Sequence, residues 1–100
     1  MNYLDAIADK IRAAVPAHDL PHDDTSDLFR MYALLLLAKG EDVDATDVHN
    51  AWVAWMAGHD AAHESLMPFE ALSDDVASED EPYVKAIQVV ARSQRDREPR

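Results

Sequence analysis

The chain contains no cysteine. That excludes a disulfide scaffold and any thiolate metal site, and it fits a reducing compartment. Glycine is almost as scarce. Gly40 and Gly58 are its two glycines, and both fall where a helix is expected to end, so none remains for a phosphate-cradling loop. The apolar run Tyr32 to Ala38 is far shorter than the roughly 20 residues that cross a bilayer. Lysine and arginine are absent from residues 41–81, a span that holds twelve carboxylates. The opening residues, Met1-Asn2-Tyr3-Leu4-Asp5, reach acid at once and do not read as a signal peptide. The expected location is therefore the cytoplasm, or a host cytoplasm if a phage encodes the chain.

What is present describes one helical domain. One hundred residues with 48% apolar side chains suit a single core. Leu4, Ile7, Ala8, Ile11, Ala14 and Val15 recur at helical spacing, with Asn2 and Asp5 placed to cap the helix and Pro16 to stop it. Ala17 to Asp24 reads as a loop. A second helix is expected from Thr25 or Ser26 to Lys39, with Gly40 as its left-handed cap. Leu28, Phe29, Met31, Tyr32 and Leu34 to Leu37 make it apolar nearly all round, which predicts a central helix buried on most sides and a homodimer. In the third helix Asp44 and Asp47 are placed as cap and N3, flanked by the staple pair Val43 and Val48. Val48, Ala51, Trp52, Trp55 and Met56 then form its stripe, with Trp52 expected in the core and Trp55 at the edge. Met67-Pro68-Phe69 begins a short turn, and Ser73 to Ala77 another. The last helix is expected from Ser78 or Glu81 to about Ser93, opened by a Ser78–Glu81 capping box. The fold class is thus all-α, four main helices plus a short helical turn, with residues 1–93 as the domain and 94–100 as a frayed polar tail.

Catalysis finds little support. There is no thiol, no serine in a nucleophile elbow, and no glycine-rich loop, so no catalytic residue or cofactor is expected. His59-x-x-x-His63-Glu64 has the spacing by which two imidazoles share a metal on a helix, but Gly58 precedes it and no third ligand follows from spacing; no metal is expected. His18 and His22 straddle Leu20-Pro21 and share no helical register. The net charge of −11 repels phosphate backbones and anionic lipid, which argues against direct contact with nucleic acid or membrane and favours a basic protein partner. Asp42, Asp47, Asp60, Glu64, Asp74, Asp75, Glu79 and Asp80 are the candidate partner surface.

From Val48 onward the chain resembles the ryanodine-receptor repeat domain, which also occurs as a lone module in bacteria and phages. The resemblance is carried by His49-Asn50-Ala51-Trp52 and by His63-Glu64-Ser65-Leu66-Met67-Pro68-Phe69-Glu70-Ala71-Leu72, followed by Asp80 and an amphipathic helix. It covers residues 48–91 and implies structural roles for His49, Trp52, His63, Leu66, Pro68, Phe69 and Leu72. Glu64 stands where the family has proline, and Val53 to Ala62 replaces a longer Gly-Trp-x-x-Gly loop. The chain also looks like short actinobacteriophage proteins of unassigned function. The function expected is a non-catalytic interaction module, a phage or bacterial accessory protein docking on a host protein. The alternatives are a sensor of nucleotide-derived small ligands, which the resemblance implies, and an acidic mimic of nucleic acid.

Overall fold

The computed structural model describes residues 2–21 and 24–97. Helix α1 is Tyr3–Ala14, α2 Ser26–Lys39, α3 Ala45–Ala57 and α5 Glu81–Arg97; α4, Asp74–Ala77, is a single turn. Short 3₁₀ turns lie between them, and no strand occurs among the described residues. The fold is all-α.

Local chemistry sets most helix ends. Asn2 and Asp5 form a reciprocal capping box at the start of α1, and Asp44 and Asp47 form a second at the start of α3. Each box satisfies two backbone N–H groups that the first turn would leave unpaired. Val15 turns extended ahead of Pro16 and ends α1. Gly40 has φ of 57°, a conformation in which any Cβ would be strained. Gly58 closes α3 with an ordinary negative φ.

One cap that the sequence left open and two departures from the sequence expectation have physical causes. The Asp24 carboxylate, not Thr25, caps α2, accepting from the Ser26 backbone N–H and hydroxyl at 3.0 and 2.7 Å. Thr25 is buried, and its Oγ1 accepts instead from Arg12 Nη2 at 3.2 Å. No capping box forms at Ser78, because residues 74–80 are already wound in helical turns and the Ser78 hydroxyl donates to the Asp75 carbonyl at 2.8 Å. Finally, the last helix does not fray after Ser93 but runs to Arg97. Arg92 and Arg95 both reach Glu41 from it, a tie that no apolar stripe could reveal. Residues 98–100, the rest of the expected tail, lie outside the described residues, as does His22.

The core is the meeting of α1, α2 and α5, closed on one side by α3. Ile7, Ile11, Phe29, Tyr32, Leu36, Val48 and Ile87 are among its buried members. Phe29 meets Tyr32 edge to face, with ring centroids 5.3 Å apart, and both rings tilt against Tyr83. Helix α2 is central as expected, yet it is not covered all round: Leu34 and Leu37 remain 54% and 50% exposed. Between α3 and α4 the chain runs through turns, held by backbone bonds such as Leu66 N–H to the His63 carbonyl, and by the Phe69–Ala71 turn.

Candidate functional site

A half-open cavity of about 560 Å³ lies where α2, α3 and the start of α5 meet the turns before α2 and after α3, within the range of small-molecule sites. Leu28 and Tyr32 of α2 form its floor. His49, Trp52, Trp55 and Met56 of α3 form one wall, and Glu79, Asp80 and Tyr83 form the other. His18 and Asp19 also line it.

His49 sits at the inner end, 4% exposed at its side chain. Its Nε2 lies 2.7 Å from the Met67 carbonyl, and since a carbonyl only accepts, Nε2 carries the proton and donates. The other nitrogen, Nδ1, faces Asp80 Oδ2 at 3.8 Å, too far for a hydrogen bond. Oδ2 is buried and has no hydrogen-bond partner among the described residues. Burial therefore pushes the Asp80 carboxyl up to about 6, opposed by His49 and reinforced by the charges of Glu79 and Glu81. Burial also raises the Tyr32 and Tyr83 hydroxyls. The Tyr83 hydroxyl donates to the Asp19 carbonyl at 2.7 Å, joining α5 to the turn after α1.

Aromatic contacts hold the wall in shape. Trp52 stacks on His49 at 5.6 Å and receives the edge of His63 at 5.0 Å. Phe69 meets His49 edge-on at 6.1 Å. The Ser65 backbone N–H donates to His63 Nδ1 at 3.0 Å, which fixes that ring. Trp55 lies against His59, with centroids 4.2 Å apart, and His59 Nδ1 donates to the Trp55 carbonyl at 2.8 Å.

The structure thus brings His49, Trp52, His63 and Phe69 into one cluster. Leu66 and Leu72 are half-buried and Pro68 is exposed. Trp52 is not a core residue, as its spacing suggested, but a partly buried wall of the cavity, as is Trp55. Two of the eight acids expected on a partner surface belong elsewhere. Asp80 points inward. Asp47 is spent on the α3 capping box and on Lys39 Nζ at 2.9 Å, which holds its carboxyl below the usual aspartate range. Asp42, Asp60, Glu64, Asp74, Asp75 and Glu79 are exposed. His59 and His63 lie in turns rather than on a helix, and no group of three metal-ligating side chains gathers among the described residues. Thr25, Tyr32 and Tyr83 were not expected at a site. Their one signal in the sequence is a polar atom carried at an apolar position.

A family model described as a domain of unknown function, DUF7701, matches residues 2–92. The chain belongs to that family. Neither a curated protein nor a solved structure matches it. The family match covers α1 to α4, α5 as far as Arg92, and every residue lining the cavity of this DUF7701 domain. No helix among the described residues is long and apolar enough to cross a membrane.

Proposed function

We propose that this DUF7701 domain is a non-catalytic interaction module that receives a basic protein partner on its acidic side. One observation carries the reading. Of the twelve carboxylates in residues 41–81, Glu41, Asp47 and Asp80 face cationic or titratable partners, and the other nine make no ion pair among the described residues. Each exposed pair with a partner would contribute at most about 1 kcal/mol. The summed field chiefly speeds association and selects the sign of the partner.

The test is capture from the native host cytosol at low and high salt, with Asp74→Lys/Asp75→Lys beside the parent. A basic partner that is lost at high salt and weakened by the double reversal supports docking on this face. A partner indifferent to both removes the reading, and one displaced by duplex DNA selects nucleic-acid mimicry. Leu34 and Leu37 are the proposed self-association face, and light scattering that gives only monomer at high concentration rejects it.

The ryanodine-repeat resemblance stands as a structural proposal, supported by the convergence of His49, Trp52, His63 and Phe69. Its ligand class fits less well. No Lys or Arg lines the cavity among the described residues, whereas Asp19, Glu79 and Asp80 do, so a diphosphate would meet carboxylates and no cation. The expected result is no thermal stabilisation by millimolar NAD, ADP-ribose or a cyclic nucleotide. A saturable shift with any of them would restore the sensor reading.

A further inference from the structure

We propose that the cavity between α3 and α5 is a binding site for a small organic cation, an alkylammonium or guanidinium group on an apolar body, whose N–H groups meet the Asp80 carboxylate. The inference does not depend on the docking reading, because it rests on Asp80, which is turned away from the exposed carboxylates, and Glu79 alone belongs to both.

Three features of the wall select this chemistry. Two of the donors nearest Asp80 are already committed: His49 Nε2 donates to the Met67 carbonyl and the Tyr83 hydroxyl to the Asp19 carbonyl. The Asp80 carboxylate is not: its Oδ2 is buried without a partner, and His49 Nδ1 lies 3.8 Å away, too far for a hydrogen bond. A buried unpaired acceptor is costly, so the site lacks a donor, and one entering the cavity reaches the carboxylate over the 15% of the Asp80 side chain that remains exposed. The field sets the sign of that donor. Asp19, Glu79 and Asp80 line the space with no Lys or Arg among the described residues. The Arg12 guanidinium is engaged by Thr25 Oγ1 at 3.2 Å and by the Phe29 ring at 4.4 Å.

The remaining surface selects the body of the ligand. Trp52, Trp55, Leu28 and Met56 offer an apolar and aromatic wall, which suits a hydrocarbon stem and stabilises a cation lying over a ring face. A hydrated metal ion would gain nothing from that wall and would find no triad of ligands among the described residues. The ammonium or guanidinium can belong to a free amine or to a Lys or Arg side chain of a partner, and the recognition chemistry is the same.

Calorimetry and tryptophan fluorescence on the full chain test this with phenethylammonium and n-butylguanidinium chlorides, and with sodium phenylacetate as the anion of similar shape. The expected result is one saturable site for the two cations below about 20 mM, within reach of ligands this small, and none for phenylacetate. Asp80→Asn keeps the shape of the site and removes its charge, and it should weaken cation binding by at least about tenfold. Thermal unfolding of that variant shows whether it is folded, and Asp9→Asn, on the exposed side of α1 and outside the cavity, should bind as the parent does. The proposal is overturned if neither cation saturates, if phenylacetate binds as well, or if folded Asp80→Asn binds unchanged. Comparing n-butylammonium with a blocked Ala-Ala-Lys-Ala-Ala peptide then separates the sources. Tighter binding of the amine assigns a free metabolite, and tighter binding of the peptide assigns a partner's side chain.

Discussion

Asp80→Asn should make the protein more stable at pH 8, by about 1–3 kcal/mol, although it removes a charged group and adds no apolar contact. The Asp80 carboxyl titrates at about 6 in the folded chain against an ordinary 3.8. Between those two values the folded state holds a proton that the unfolded state has lost. Its contribution to stability is therefore fully present below about pH 4 and is lost as pH rises through about 6. Above that, the folded protein keeps a largely unpaired charge, and each unit of displacement corresponds to about 1.4 kcal/mol. His49 from α3, Glu79 and Glu81 on either side, and the Tyr32 and Tyr83 hydroxyls are the titratable groups set around it. An amide cannot lose the proton, and its NH₂ can donate toward His49 Nδ1. Urea unfolding at pH 4.5 and pH 8 measures the effect, with parent and variant diverging only at the higher pH. Asp5, Asp24 and Asp47 work in the opposite sense. Their carboxyls are lowered by hydrogen bonds from Arg30, Ser26 and Lys39, so their contribution is lost on acidification, and the variant should leave that limb unchanged. A loss of stability at pH 8 would mean that Asp80 and a protonated His49 form a net favourable ion pair, and that the cavity lacks nothing.

Phe29→Ala should cost about 3–5 kcal/mol, the range for truncating a fully buried aromatic. Phe29 is 1% exposed, with Tyr32 and Tyr83 against its ring and the Arg12 guanidinium 4.4 Å above its centroid. No single neighbour can move to fill the void, because the ring sits where α1, α2 and α5 converge. Trp52→Ala should cost clearly less despite the larger side chain, since Trp52 faces the cavity and leaves it only enlarged. Denaturant midpoints of the two variants decide the order. Should Trp52→Ala prove the costlier, the aromatic wall is part of the core and the cavity is closed to ligands.

Much of this fold was legible one helix at a time. The Asn2–Asp5 and Asp44–Asp47 boxes, the stop at Pro16 and the positive φ of Gly40 each depend on atoms within a few residues. Local chemistry of that range survives any tertiary arrangement, and apolar periodicity then names the face each helix buries. Signals of the same kind misled where distant groups competed. The Ser78–Glu81 pattern is overridden because α4 and the turn after it already supply the helical bonds. The extension of α5 beyond Ser93 depends on Glu41, far away in the chain, meeting Arg92 and Arg95.

The site divides along the same line. His49, Trp52, His63 and Phe69 carry side chains that single them out in the sequence, but their convergence on one another is a property of the fold. Nothing local could assign Asp80 to the interior. It stands among Glu79 and Glu81 in a run that reads as solvated acid, and it turns inward only because α5 docks on α2 and aims the start of the helix at His49. The sequence alone therefore determined the main helices, the Asn2–Asp5 and Asp44–Asp47 caps and the sign of the net charge, all properties of short range or of composition. Only the tertiary structure decided which carboxylate is buried without a donor and that both tryptophans line a cavity. Burial and unmet hydrogen bonds belong to the packed chain and to no residue within it.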